Sequence, residues 1–87
     1  MSAAISVTPL VERIARVLAG QRLSANAEGA SPSASLDVEI EWEDHLDEAV
    51  AILKAIREPD WAMADAGNAA IWQTMVSMAI VEAERFE

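Results

Sequence analysis

Residues 36–59, LDVEIEWEDHLDEAVAILKAIREP, carry two incompatible periods, and which of them prevails decides the fold. Leu36, Val38 and Ile40 alternate with Asp37, Glu39 and Glu41 in the two-residue repeat of a half-buried strand. From Trp42 onward, Trp42, Leu46, Ala49, Val50, Leu53 and Ile56 recur at the spacing of one helix face. A strand over residues 36–43 would need a partner for its amides and carbonyls, and no other segment alternates in this way. It could pair only with its own copy in a dimer. The spacing therefore predicts a helix over residues 42–57. Residues 36–41 are read as its lead-in, extended or already helical, with a short strand as the alternative.

The same stretch crowds seven carboxylates into the twelve residues from Asp37 to Glu48. Glu41, Glu43, Asp44, Asp47 and Glu48 fall in or beside the first turns of the expected helix, where free amides and the positive end of the helix dipole favour negative charge. Capping explains their sign and place, but five exceed what one helix end needs.

Outward from this stretch, the remaining segments also read as helical. Thr8 before Pro9 is an N-cap with proline at the first helical position. Leu10, Val11, Ile14, Val17 and Leu18 then form an apolar face, within a helical segment spanning residues 8–23 after an arm of residues 1–7. Residues 24–35 are small or polar apart from Glu28 and read as a flexible linker, with a root-mean-square span of roughly 19 Å for such a composition. Such a linker can close an antiparallel pair within one chain or pass the first helix to a neighbour in a domain swap. On the other side Pro59 disfavours helical geometry at Glu58. Asp60 then caps a short helix over residues 60–66, Gly67 supplies a left-handed terminator, and Asn68 caps a last helix over residues 68–86. In that last helix Trp72, Met75, Val76, Ala79, Ile80 and Ala83 form the core face, while Ile71, Met78 and Phe86 widen the apolar surface. The expected architecture is a single all-α domain, a small bundle of three main helices plus one short one. The extra apolar surface favours a homodimer.

Composition limits what this domain can be. Its 87 residues include 18 alanines, which favour helix but bury little area each, and no cysteine is present to form a disulfide or a thiolate metal site. The first ten residues hold no basic segment before an apolar run, and the charge-free window 69–81 is interrupted by Gln73, Thr74 and Ser77. No signal peptide or membrane span is expected, which points to a soluble cytoplasmic chain. Charge is uneven: residues 1–35 balance at +1 and residues 36–87 at −10, giving the net −9. Such a field disfavours direct nucleic-acid binding and favours basic partners.

Candidate chemistry is sparse. His45 has Glu41 four residues before it and Glu48 three after, but Trp42 stands where a Glu-x-x-His motif ending at His45 needs glutamate, and the further ligands of a carboxylate metal site are absent. It reads as an exposed histidine, with no metal or cofactor expected. Ser6, Ser24, Ser31, Ser33 and Ser35 sit in the arm or linker without an oriented base, Ser77 has apolar neighbours, and Gly20, Gly29 and Gly67 are too isolated to form a phosphate loop. No enzymatic activity is expected. Trp42 and Trp72 fall on core faces, whereas Trp61 has only Met63 as apolar company. Trp61 reads first as a lid on one end of the bundle, and alternatively as a partner anchor.

The segments IREPDWAMADAG (residues 56–67) and IWQTMVSMAIVEA (residues 71–83) resemble a family of short proteobacterial and prophage proteins. That family shares an opening like VERIARVLA, a Trp leading into an Ala-rich helix, an Arg-Glu-Pro turn running on to Ala-Gly, and a closing helix that begins with Trp. The matching residues are 11–19, 42–55, 57–67 and 72–79, with Asp60 in place of the usual threonine and the linker unmatched. The resemblance implies a phage or mobile-element setting and assigns no activity. The first functional expectation is a small helical module that binds another protein, with Trp61, Met63, Glu41, Asp44, Asp47 and Glu48 as candidate contact residues. The alternative is an acidic decoy that mimics nucleic acid and inhibits a basic protein, using the acids of residues 37–48 with Glu82, Glu84 and Glu87.

Overall fold

A break in the helical path, not a strand, resolves the conflict in residues 36–59. The computed structural model describes residues 4–26 and 34–86. Helix α1 spans Leu10–Asn26 and α2 spans Ala34–Glu41; a single 3₁₀ turn, Trp42–His45, leads into α3, Leu46–Ile56. The short α4 is Trp61–Ala66, α5 is Ala69–Ala83, and a second 3₁₀ turn, Glu84–Phe86, closes the chain. Among the described residues there is no strand, and the fold is a small all-α bundle.

The alternating segment is therefore helical, and its pattern has a visible consequence. Laid on a helix, residues two apart point to nearly opposite faces. Val38 accordingly packs toward α1 at Gly20, while Ile40 turns outward and is 70% exposed. At the 3₁₀ turn the helix tightens, with the Leu46 amide donating to the Glu43 carbonyl three residues back. The tightening carries Trp42 into the core, where it is 8% exposed. Its ring meets Phe86 edge-on, with centroids 5.6 Å apart and planes at 89°. The Arg16 guanidinium lies 5.0 Å from the ring centroid.

Around this point α1 is central, packing against α2, the first 3₁₀ turn, α3 and α5, while α3 packs against α5. The seam is built from small residues at helical spacing: Val11, Ala15 and Ala19 on α1, Ala49 and Leu53 on α3, and Val76, Ala79 and Ala83 on α5. Small side chains let helix axes approach closely. They also leave little bulk inside, and Leu53 and Val11 are the largest fully buried residues.

Several boundaries and faces differ from the sequence reading. Helix α1 starts at Leu10, with the Pro9 carbonyl accepting from Arg13 at 3.2 Å, and the local side-chain bond comes from Ser6, whose Oγ accepts from the Thr8 amide at 3.1 Å. It continues four residues past Arg22 to Asn26, because Leu23, Ser24 and Ala25 include no helix breaker. Residues 24–26 and 34–35 of the expected linker are thus helical, and its residues 27–33 lie outside the described ones, as does the segment a domain swap would use. Val17, Ile56 and Met75, expected in the core, are exposed, because alanines occupy much of the seam and the lining residues beside them turn outward. Phe86, expected outside, packs against the core instead. Gly67 has φ −159° and ψ −143°, extended backbone open to any residue rather than the left-handed form.

Asp60 and Asn68 do cap their helices: the Asp60 carboxylate accepts from the Met63 amide at 2.9 Å and Asn68 Oδ1 accepts from the Ile71 amide at 3.0 Å. Gly20 offers a test of the α1–α2 contact. A Cβ added there would sit 3.7 Å from Val38 Cγ2, ordinary van der Waals distance, and glycine inside a helix is poorer than alanine. Gly20→Ala is expected to raise stability by about 0.5–1 kcal/mol, read as a higher melting temperature by circular dichroism.

Candidate functional site

Helix α4 sets the geometry of the most exposed apolar surface. Pro59 ends the preceding helical path and Asp60 starts six residues of new helix, which make no extensive contact with any longer helix. Trp61, in the first turn, is consequently 87% exposed and closes neither end of the bundle, which overturns its reading as a lid. Met63, two residues on and so on the nearly opposite face of α4 from Trp61, faces a groove of about 360 Å³ lined also by Pro59, Ile71, Trp72 and Met75. Trp72 is held in that wall by its own hydrogen bond, Nε1 donating to the Ile56 carbonyl at 2.7 Å. That bond also satisfies one of the terminal carbonyls of α3.

A second groove, about 650 Å³, lies on the other side of Met75, between α5 and the arm of residues 4–10. Met75, 66% exposed, lines both grooves, as does Trp72, and is the one of the two that projects into solvent. Ile71 and Met78, correctly read as surface, lie along the same side of α5. The sequence reading missed Met75 by assigning it to the core, and missed Ile5 and Val7, which are almost fully exposed in the arm. The available signal was the absence of charge from residue 69 to residue 81.

The acids of residues 37–48 occupy a different end of the molecule. They are spread over successive first turns, Asp37 in α2, Glu43 and Asp44 in the 3₁₀ turn, and Asp47 and Glu48 in α3. This division accounts for their number better than a single helix end, although His45 occupies the N-cap of α3 and makes no side-chain capping bond. Two of them serve packing. Glu39 accepts two bonds from Arg16, at 2.7 and 3.3 Å, while Glu12 accepts a third at 2.8 Å. The bonds to Glu39 and then Glu12 hold the Arg16 guanidinium pKa above its ordinary value. Glu48 accepts from Arg22 at 2.6 Å and lies 3.3 Å from His45 Nδ1. His45 is not exposed as expected; its side chain is 13% accessible, tucked into the turn. Of the candidate contact residues, Glu41, Asp44 and Asp47 are exposed and make no ion pair among the described residues, whereas Glu48 is engaged.

The two regions are well separated. Trp42 against Phe86 fixes the C-terminal end of α5 beside the acidic turn, while the Trp72 bond fixes its N-terminal end beside the end of α3. From Trp72 to Phe86 the helical path rises roughly 20 Å at 1.5 Å per residue. The sequence-predicted contact residues therefore fall into two regions, Trp61 and Met63 on nearly opposite faces of α4 and the acids around the first 3₁₀ turn. Among the described residues no three acids, histidines or cysteines converge as a metal cluster, and no helix is long and apolar enough to cross a membrane.

Comparison with family models, with characterised proteins and with solved structures gives no match for this chain.

The contrasting environments of Trp61 and Trp72 can be read directly. Trp61→Ala should leave the melting temperature unchanged, because the side chain is already in water. Trp72→Phe removes the donor to Ile56 and should cost about 0.5–1.5 kcal/mol in a denaturant titration.

Proposed function

We propose that the protein is a small helical interaction module that binds another protein through the surface formed by α4 and the start of α5. Trp61 carries this reading: a large aromatic residue, 87% exposed, in the first turn of a capped helix whose opposite face, at Met63, lines an apolar groove. An exposed tryptophan of this kind is the residue type most often found to dominate binding energy. Glu58, Asp60 and Asp65 lie within four residues of it, against the one base Arg57, and the chain carries a net −9, so the favoured partner presents an apolar centre with a basic rim. The likeness of residues 56–67 and 71–83 to prophage proteins supports a phage or mobile-element setting for that partner. Affinity capture from the native host, with the wild type and Trp61→Ala run in parallel and analysed by mass spectrometry, tests the reading. A protein retained by the wild type and lost with the variant is expected; identical retention by both would remove the basis for the proposal.

A second reading rests on the row of Glu41, Asp44 and Asp47, spaced three apart along a path that includes the 3₁₀ turn, where residues three apart eclipse. Exposed and unpaired among the described residues, these carboxylates suit an acidic decoy for a basic groove that normally holds nucleic acid. Such binding would compete with DNA or RNA and vanish at high salt. A triple Glu41→Gln, Asp44→Asn, Asp47→Asn variant should abolish competition while leaving the helical circular dichroism unchanged; competition that survives both high salt and these changes speaks against the decoy.

A further inference from the structure

We infer that the outer stripe of α5, Ile71, Met75 and Met78, is covered in solution by the same stripe of a second copy, the two helices running antiparallel about a twofold axis near Met75. This rests on the reading of the α4–α5 surface as an interaction surface and names one occupant of it.

The stripe is separate from the core face. Each of its residues immediately precedes a residue packed on the core, Ile71 before Trp72, Met75 before Val76 and Met78 before Ala79, so it lies about 100° around the helix from the seam. All three side chains are more than half exposed. Their spacing of four and then three residues is that of the contact row in paired helices, although it is too short for a free-standing coiled coil.

Three further observations select a second copy. Two chains of net charge −9 repel wherever their acids face each other, and α5 carries no charge from residue 69 to residue 81, its one acid, Glu82, standing at the far end of the row beyond Met78. An antiparallel arrangement sets Ile71 of one copy against Met78 of the other and sends the two acidic turns to opposite ends, whereas a parallel one would bring them together. Secondly, Met75, 66% exposed, stands at the edge of two grooves, one toward α4 and one toward the arm, the latter lined also by Arg13 and Glu82. A projection beside grooves is self-complementary under a twofold, since each projection meets the other copy's groove. Lastly, with Val81 and the arm residues Ile5 and Val7, the exposed apolar side chains amount to at most on the order of 700 Å², a little under the ~800 Å² per partner of a standard interface and above the usual patch on a monomer.

Sedimentation equilibrium of the full chain, from low to high micromolar concentration, tests this. The wild type is expected to run at twice the chain mass. Met75→Glu and, independently, Met78→Glu should run at the single mass with unchanged circular dichroism, as both positions are exposed. The chain has no cysteine, so orientation can be read by oxidation: a mixture of Ile71→Cys and Met78→Cys chains should cross-link to each other, and Ile71→Cys alone should not cross-link to itself. A wild type that remains monomeric, a dimer indifferent to both glutamates, or efficient self-linking of Ile71→Cys would overturn the pairing. A monomer whose partner capture still depends on Trp61 would sink the dimer alone and leave the interaction reading standing.

Discussion

Trp42 is the contact on which the rest of the arrangement depends. The single 3₁₀ turn that carries it also separates α2 from α3, so the directions of both helices follow from where this one ring is placed. Arg16 of α1 covers the ring from one side and Phe86 of the closing turn meets it from another. One side chain thereby joins the start, middle and end of the chain. Truncating a buried aromatic of this kind costs about 3–5 kcal/mol, a large share of the ~5–15 kcal/mol that holds an ordinary domain together. A core whose other buried residues are alanines and valines with the single Leu53 has little with which to offset that loss.

Arg16 shows how charge reinforces the same point. Its guanidinium reaches Glu12 along its own helix, Glu39 on α2 and the Trp42 ring at once. The planar fork that accepts a carboxylate on one edge and an aromatic face beneath is specific to arginine, and lysine cannot reproduce it. The acids nearest α1, Glu39 and Glu48, are thus part of the packing, while Glu41, Glu43, Asp44 and Asp47 are exposed and make no ion pair among the described residues.

Much of this was legible in the sequence where physics is local. The caps at Asp60 and Asn68, the stop at Pro59, and the helical register through Leu46, Ala49 and Leu53 depend on near neighbours alone, and the structure contains them. Residues 36–41 were harder, because an alternating pattern on a helix resembles a strand until Val38 is seen to fit against Gly20 on another helix. Met75 failed for a related reason: a methionine at core spacing can lie on either edge of the face, and the choice is made by the alanines of the facing helices. For the candidate site, Trp61 was singled out because it lacks apolar company in sequence, yet its exposure follows from α4 standing clear of the bundle, which no local pattern records.

The alanine seam has a consequence for how such a chain can change over generations. Ala15, Ala19 and Ala49 are wholly enclosed, so a substitution there that adds bulk must push two helices apart, and overfilling a tight interior is as harmful as hollowing it. The outer row of α5 and the α4 tip lie outside that seam, and the packing within the chain sets no such restriction on them. Drift is therefore channelled to the rim: the scaffold tolerates little variation inside, while the exposed surface is left free to diversify.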